Sequence, residues 1–382
     1  MEITILGAGC SGSSLAYLLV RGGFAGEIHV FDGRTDFSRE QRWCSWGPIP
    51  SPLAGLVDAS WPRWKVLSGR REVRCSLPQR PYLHVHAPRF YRHVHDELTR
   101  TPNVHLHFGT TVHSIVESGK RLLSETSKGT LAADMVFDSR PSQGGRGSPG
   151  ADTHVRLRQS FVGLVVRSDK AAFDPRTATL MDFGIEESPG ISFVYVLPFG
   201  ADRALIESTA FSREAVPAEE HRRRVERYLE RQGMSGYCVE SEESGNLLMS
   251  TEGYPTHKSD RHLMIGVAGG ATRPSSGYAF VQILRQSRRI ARAMVLGEPP
   301  PISEVIPRKQ KLFDAIFLDA VERSPALARS SFVRMFERVP PAALIRFLSN
   351  ESGLRDEMRL IAALPKTPFV HAALRRTVTA IR

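Results

Sequence analysis

Three glycines near the start of the chain are spaced for binding a phosphate group. The segment Gly7-Ala-Gly9-Cys-Ser-Gly12 follows an apolar run, Ile3 to Leu6, that predicts a buried parallel strand. In such a unit the first glycine permits a tight turn, the second lets the backbone approach a pyrophosphate, and the third lets the helix pack closely. The helix N-terminus then offers N–H groups and a positive dipole end. Asp32, twenty residues after Gly12, would hold a ribose hydroxyl, so the segment predicts a dinucleotide site.

A second glycine-bearing element lies late in the chain and extends the predicted cofactor site. It contains Gly269 and Gly270, followed by Ser275, Ser276 and Gly277. The backbone N–H groups of the last three would lie at a helix N-terminus facing a flavin ring or a pyrophosphate. The alternative is a capped helix after a loop, without a ligand. Two glycine-rich helix starts at opposite ends of the sequence favour the larger FAD over NAD.

These motifs require a Rossmann-type sheet, and the sequence pattern supplies its elements. Apolar runs predict its parallel strands, and apolar residues at helical spacing predict the helices between them. The predicted elements are strands Ile3–Leu6, Ile28–Phe31, Met135–Asp138 and His262–Gly266, and helices Ser13–Arg21 and Pro88–Thr99.

The middle of the chain is predicted to form an antiparallel sheet. Turn residues separate four strand-length runs, Ser160–Val166, Ala178–Phe183, Ile191–Leu197 and Arg203–Thr209. A basic amphipathic helix, Ala218–Gln232, follows, and the chain is mainly helical from Tyr278 onwards. The predicted fold class is α/β: a Rossmann-type FAD-binding domain, an antiparallel-sheet substrate domain and a helical C-terminal region.

We place the domain boundaries at changes in this pattern. The first part of the FAD-binding domain covers residues 1–140, and the loop Pro141–Gly150 marks the crossing to the substrate domain, 151–255. Residues 256–300 return to the FAD-binding domain, and 301–382 form the helical region.

Charge and hydropathy limit the environment of the chain. Lys and Arg number 51 against 40 Asp and Glu, which fits either an anionic membrane surface or a solvated basic surface. Nucleic acid is not expected as a partner, because no nucleic-acid-reading motif occurs. No apolar run approaches the roughly 18–20 residues that span a bilayer, and no signal peptide is recognisable. We therefore expect a cytoplasmic protein.

Metal binding is not expected. The four cysteines are scattered without ligand spacing, which predicts neither a disulfide framework nor a zinc site. Histidines at alternate positions could imitate a metal pair, but no carboxylate motif accompanies them, so we interpret them as polar residues on half-exposed strands. The pairs are His84 with His86, His93 with His95, and His105 with His107.

Several segments in a fixed order carry a family resemblance. They are Gly7–Gly12 with Asp32, Arg42–Trp46, Leu180–Phe183, Phe193–Phe199, Arg203–Phe211, Glu252–Pro255, Gly266–Phe280 and Phe347–Glu351. Together they cover nearly the whole chain, which resembles the bacterial lycopene cyclase family of FAD-dependent carotenoid enzymes.

The resemblance implies a redox-neutral cyclisation of lycopene or a related polyene. A polyene end is protonated, a double bond attacks the cation, and a proton leaves to give a ring. Reduced FAD is implied as the active cofactor, with NAD(P)H as the source of its electrons. An anionic flavin in an apolar tunnel would stabilise a passing carbocation. The insoluble substrate implies peripheral contact with the inner face of the membrane.

Glu207 is the predicted acid, and it matches the glutamate of the family's Glu-x-Thr strand motif. It is the sole ionisable residue between Ala204 and Phe211, and a carboxyl in an apolar site has a raised pKa and can donate a proton. The alternative is a structural glutamate that is paired with Arg203. Asp182 is a second candidate acid, for which a structural role in the sheet is the alternative.

Trp43, Trp46 and Tyr278 are the candidate substrate-binding residues. The two tryptophans could hold a cation against their ring faces, although core aromatics would look the same. The chain departs from the family pattern at probable pocket positions: Phe161 replaces a frequent histidine, Leu164 a common tryptophan, Ser45 an aromatic residue and Ser276 a threonine. These departures concern the substrate more than the cofactor.

Two other classes of function compete with the cyclase. A flavin monooxygenase would use the same opening glycines, with NAD(P)H and oxygen, to hydroxylate an aromatic or lipid. A flavoprotein that binds lipid without catalysis is the third possibility. The Glu207 motif and the segment Leu180–Phe183 favour the cyclase.

Overall fold

The computed structural model describes residues 1–39, 41–141, 155–184, 190–301 and 305–381, whose strands form four sheets. The strands are β1 Glu2–Leu6, β2 Glu27–Asp32, β3 Arg42–Trp46, β4 Val57–Trp61, β5 Arg63–Ser68, β6 Arg71–Ser76, β7 Tyr82–His86, β8 Val104–Phe108, β9 Val112–Ser118, β10 Arg121–Thr126, β11 Gly129–Ala133, β12 Met135–Asp138, β13 Arg156–Ser168, β14 Thr177–Asp182, β15 Ile191–Pro198, β16 Arg203–Ser212, β17 Tyr237–Ser250, β18 His257–Ser259 and β19 His262–Met264. The helices are α1 Cys10–Arg21, α2 Ala87–Thr99, α3 Ala218–Arg231, α4 Phe280–Val295, α5 Arg308–Arg323, α6 Pro325–Arg338, α7 Pro341–Leu348, α8 Leu354–Ala363 and α9 Lys366–Ile381.

The first sheet places the opening glycines at its centre. Its strand order is β18-β19-β12-β1-β2-β8, and all neighbours except the β18–β19 pair are parallel. Ile3 and Ile5 of β1 are fully buried in a core shared with α1, α2 and α4. Leu6 belongs to a smaller core with the three-stranded sheet β9–β11, which therefore covers the other face. Such a centre, where strand order reverses, is where open α/β sheets bind ligands.

The second large sheet has the order β17-β13-β16-β15-β14-β5-β6 and is antiparallel except between β14 and β5. Side chains alternate between its faces along each strand, as the pleat requires. One face, including Ala204 and Ile206, packs on α3. The other, including Leu205, packs in the largest core with residues of α5 to α8. The other three-stranded sheet has the order β3-β7-β4.

The predicted fold class is confirmed, and the predicted elements are present with small differences at their ends. Helix α1 begins at Cys10 rather than Ser13, because Gly9 already has the extended backbone of an N-cap. Strands β5 and β6, although they precede residue 140, extend the seven-stranded sheet. Of the predicted loop Pro141–Gly150, residues 142–150 lie outside the described residues.

The prediction from the sequence was wrong about one pair of histidines and missed one strand. His93 and His95 lie on helix α2, not on a strand, since their neighbours follow helical spacing. Strand β17 was not predicted at all, because its run of glutamates and serines has little of the apolar content that marks a strand.

Neither a membrane-spanning helix nor a metal centre is evident in the part of the chain that the structure describes. No helix there is long and apolar enough to cross a bilayer. No group of three or more His, Cys, Asp or Glu residues there could hold a metal ion.

Candidate functional site

The turn between β1 and α1 has the backbone that its glycines predict. Gly7 has a φ of +89°, in the region that side chains strongly disfavour. A Cβ at Gly12 would lie 1.9 Å from the Gly7 carbonyl oxygen, so the third position admits no side chain. The tight turn and the close approach of helix to strand therefore depend on these two glycines.

Asp32 is held at the end of β2, beside this turn. Its Oδ2 accepts a hydrogen bond of 2.8 Å from the Ala8 N–H, and Arg34 donates to both carboxylate oxygens. Burial opposes ionisation, but the hydrogen bonds from Arg34 and Ala8 outweigh it and lower the pKa of Asp32. An ionised carboxylate at this place is the acceptor that a ribose hydroxyl requires.

The N-terminus of α1 fits an anionic group. Its N-cap residue is Gly9, and no side chain forms a capping hydrogen bond with the first backbone N–H groups of the helix. The Ser11 hydroxyl is buried at this end and has no hydrogen-bond partner among the described residues. Buried hydroxyls are normally satisfied, and helix N-termini are ready-made phosphate sites. The turn can therefore hold the pyrophosphate of a dinucleotide.

The two glycine segments, far apart in sequence, meet at this helix end. A Cβ at Gly266 would lie 2.6 Å from the Ser11 Cβ, and the Gly266 N–H donates to Gln286 of α4 at 2.7 Å. Gly269 and Gly270 follow in a short 3₁₀ turn, Gly266–Gly269, and its left-handed end. The tertiary structure thus brings Gly266, just before Gly269 and Gly270, against the N-terminal turn of α1.

The expected helix start at Ser275–Gly277 was wrong. Helix α4 begins at Phe280, and the preceding residues form a turn in which the Gly277 N–H donates to the Arg273 carbonyl at 2.9 Å. The Ser275 hydroxyl donates to Asp314 of α5 at 2.6 Å. Arg273 and Asp314 form a buried ion pair, so this turn anchors the C-terminal helices. A role for Ser275 and Gly277 in cofactor binding stays a prediction.

Glu207 lies on the face of the seven-stranded sheet that is opposite to α3. It alternates with Ile206 and Ser208, which face α3, and its Oε1 accepts a 2.7 Å hydrogen bond from Thr209. Desolvation and, to a smaller extent, the charge of Glu243 together raise the pKa of Glu207 from 4.5 to about 8, against the opposing effects of Thr209 and Arg42. At neutral pH the side chain is therefore mainly a carboxylic acid.

The side chains grouped around this acid are shielded from bulk solvent but not fully covered. Burial dominates the pKa of Glu207, Cys44, Tyr195 and Tyr278, raising that of Cys44 and Tyr278 to about 12. Each of the four nevertheless keeps some accessible surface. We call the space between these four residues the inner cleft.

A chain of phenol groups crosses from the late glycine segment to the strand beside Glu207. The Tyr195 hydroxyl donates to Tyr82 at 2.9 Å, and the Tyr82 and Tyr278 hydroxyls are 2.9 Å apart. In the β15–β16 register Tyr195 stands directly opposite Glu207. The inner cleft thus extends from Tyr278, in the segment that also carries Gly266, to the acid.

Two residues without a predicted role complete the acid's surroundings. Glu243 of β17 is ion-paired with Arg42 of β3 at 3.6 Å, with side chains 7% and 5% exposed. Glu243 was missed because β17 itself was missed. In β17 the exposed side chains of Glu240 and Glu242 form ion pairs with arginines, while those of Ser241 and Glu243 point towards the interior. The alternation of these residues along the strand was the signal available in the sequence. The predicted alternative pairing of Glu207 with Arg203 is absent, since Arg203 binds Glu240.

Asp182 does not join Glu207. Its Oδ1 accepts from the Gly184 N–H at 2.9 Å, and burial raises its pKa while the charges of Lys65 and Arg231 oppose the rise. Arg231 belongs to α3, so Asp182 is on the other side of the sheet. A cavity of about 570 Å³ lined by Lys65 and Tyr228 also opens on that side, away from the inner cleft.

The candidate aromatic residues divide between two cores. Trp43 stacks on Phe280 at 5.0 Å, beside the first sheet. Trp46 is 3% exposed and packs edge-on against Trp64 at 4.5 Å. Cys44 lies between the two tryptophans and lines the inner cleft, so β3 connects the cofactor side to the acid. Substrate contact by Trp43, Trp46 or Tyr278 stays a prediction.

Solved structures that resemble this one include flavoproteins. A geranylgeranyl bacteriochlorophyll reductase-like protein from Thermoplasma acidophilum superposes with a TM-score of 0.65 at 12% identity, over 98% of both chains. The flavin-dependent monooxygenase PieE, solved with FAD and substrate, gives a TM-score of 0.60 at 14% identity, over 98% of this chain and 72% of that one. At such identities the likeness establishes the fold alone.

Sequence relatives are more specific. The lycopene beta-cyclase of a Paracoccus species is 23% identical over 63% of each chain, so the matched region spans less than two thirds of that enzyme. The lycopene beta-cyclase of Pseudescherichia vulneris is 26% identical over 84% of this chain and 81% of its own length. The family model described as lycopene cyclase protein matches residues 2–374. This protein therefore belongs to the lycopene cyclase family of enzymes, as its sequence motifs predicted.

Proposed function

We propose that this protein cyclises the end group of lycopene or a related polyene without net oxidation, using Glu207 as the acid. The observation that carries the proposal is the placement of the Glu207 carboxyl group, which lies opposite Tyr195 in the sheet and is shielded from bulk solvent, so that burial raises its pKa to about 8. A general acid works best when its pKa lies near the operating pH. The protonated side chain can therefore deliver a proton to a terminal double bond.

FAD is the cofactor that the first sheet would hold. Gly7, Gly9 and Gly12 at the α1 turn, with the Ser11 hydroxyl, would bind its pyrophosphate, and Asp32 its ribose. Bound in its reduced, anionic form, with NAD(P)H as the source of electrons, FAD would supply negative charge that stabilises a carbocation. The protein's own part is to exclude water from the inner cleft and to place the acid.

The experiment that tests this proposal is expression in cells that accumulate lycopene, followed by pigment analysis. We expect cyclised carotenoid from the wild-type chain and none from the Glu207→Gln variant. The matched control is Glu117→Gln, at an exposed position of β9 outside the site, which should retain wild-type product. Unchanged product from Glu207→Gln would remove the acid from the proposal, and absence of any ring from the wild type would remove lycopene.

Anaerobic turnover separates the cyclase from the flavin monooxygenase. The purified enzyme, loaded with FAD and reduced, should form product without oxygen and without consuming NAD(P)H in proportion to product. A strict requirement for oxygen would favour hydroxylation instead.

Helix α8 is the proposed contact with the membrane surface. Leu354, Met358 and Ile361 recur at helical spacing and are 73%, 58% and 50% exposed. Arg355 and Arg359 lie on the same helix and are exposed. An apolar stripe with basic neighbours suits an anionic lipid surface, which we place at the inner face of the cytoplasmic membrane.

Liposome co-sedimentation tests this contact. Serine at Leu354, Met358 and Ile361 together should abolish binding to anionic vesicles at low salt. Serine at Val116 and Val239, which are 46% and 50% exposed elsewhere, should not. Equal binding of both variants would exclude α8 as the docking surface.

A further inference from the structure

Three adjacent strands bring two glutamates together above one glycine. Strand β13 lies between β16 and β17, and its Gly163 stands opposite Glu207 on one side and opposite Glu243 on the other. Residues directly opposite in register point to the same face of a sheet. A Cβ at Gly163 would lie 3.3 Å from the Glu207 Cβ and 3.3 Å from the Glu243 Cγ. The missing side chain leaves the space that both acidic side chains share.

The acidic groups beside Gly163 outnumber the basic group that is described near them. Among the residues that the structure describes, the carboxyl groups of Glu207 and Glu243 both lie near the guanidinium of Arg42, which pairs with Glu243 at 3.6 Å. A second negative charge in so desolvated a place would be poorly compensated, so one of the two carboxyls retains a proton. Because Arg42 contacts Glu243, the carboxylate form belongs to Glu243 and the proton to Glu207.

We propose that Glu243 is the base of the reaction, and that it forms with Glu207 an acid–base pair that one proton serves. The inference rests on the proposed cyclisation and adds the group that accepts the proton lost in its last step. Arg42 is a positioning residue, which acts by keeping Glu243 in its carboxylate form.

The steps balance without any oxidant or reductant. The O–H bond of Glu207 breaks as a C–H bond forms at the terminal double bond, and the resulting cation closes the ring through a new C–C bond. A C–H bond of the ring then breaks, its electron pair forms the ring double bond, and its proton passes to the Glu243 carboxylate. One proton transfer from Glu243 back to Glu207 restores the starting state, so no proton is consumed.

The first test follows the pair itself and needs no substrate. Infrared difference spectra of the purified protein across a pH series report the carboxylic acid signal of Glu207, which Glu207→Gln identifies by removing it. Glu243→Gln deletes the neighbouring negative charge and leaves Arg42 to act on Glu207. The signal should then disappear at lower pH than in the wild type. An unchanged titration would overturn the pair.

The second test follows the reaction. Glu243→Gln should lower the rate of ring closure by about 10²-fold or more, as removal of a general base does. Glu243→Asp should recover part of this rate and also serves if the glutamine variant does not fold. The control is Glu242→Gln, the next residue of β17, whose carboxylate pairs with Arg222 outside the cleft. It should stay within about twofold of the wild type.

Deuterium labelling distinguishes this inference from the proposed function. In D₂O the Glu243→Gln variant should return unringed polyene in which deuterium has replaced hydrogen, because Glu207 still donates a deuteron to the terminal double bond and its carboxylate takes a proton back from the same carbon, while the final proton acceptor is missing. Glu207→Gln should give neither label nor ring. Full ring closure by Glu243→Gln, with Glu207→Gln inactive, would overturn the base and leave the acid standing. Failure of both the wild type and its variants on any polyene would instead refute the cyclisation.

Discussion

The raised pKa of Glu207 predicts that the proposed acid weakens the fold, increasingly so as the pH rises. A carboxyl with a folded-state pKa above its unfolded value binds more protons in the folded than in the unfolded state between the two values. The free energy of unfolding therefore falls as the pH rises through that window. Glutamine at position 207 has nearly the same shape and cannot ionise. We expect Glu207→Gln to be inactive and, at alkaline pH, more stable than the wild type.

The magnitude follows from the change in the pKa of Glu207 from 4.5 to about 8. Each unit of change in the pKa corresponds to about 1.4 kcal/mol, so the whole change corresponds to about 5 kcal/mol in the free energy of unfolding. This value is an upper estimate, because an ionised Glu207 can relax or admit water. Below pH 4.5 the wild type and the variant should differ little in free energy of unfolding. The difference should grow steadily and level off above pH 8.

Urea unfolding at a series of pH values measures this difference directly. The control is again Glu117→Gln, whose exposed side chain on β9 should give a pH-independent difference. A constant difference between Glu207→Gln and the wild type across the window would refute the reasoning, because Glu207 would then titrate alike in both states. If the variant instead lost its advantage in free energy of unfolding as the pH rises, the pKa of Glu207 would be lowered by folding rather than raised.

Three further predictions concern the cofactor turn, the C-terminal helices and acid stability. Gly12→Ala should yield protein without bound FAD by absorbance, since its Cβ would lie 1.9 Å from a turn carbonyl, whereas Gly55→Ala, with open space, should keep it. Arg273→Met leaves Asp314 buried without its cation and should lower the free energy of unfolding by about 3–5 kcal/mol in urea. Burial lowers the pKa of His221 to about 4, so thermal stability should fall as the pH drops from 6.5 towards 4, and His221→Asn should lessen that fall.

Local patterns were enough for the turn between β1 and α1. The strand, turn and helix around Gly7 and Gly12 are adjacent in sequence, and each residue's requirement follows from its immediate neighbours. Alternation along β16 places Glu207 and Thr209 on one face of the strand, where Thr209 donates a hydrogen bond to Glu207. Where the local signal was weak, prediction failed: the acidic strand β17 was missed, and the turn before α4 was taken for the helix itself.

The sequence by itself therefore determined the fold class, the family and the identity of one candidate acid. Only the tertiary structure decided what surrounds that acid. Arg42, Gly163, Glu207 and Glu243 come from four separate strands, and they meet through strand register and the packing of β3 against β17. Register depends on pairing between distant segments, which no local spacing encodes. The same is true of the pKa of Glu207, because desolvation and a neighbouring charge exist only once the chain has folded.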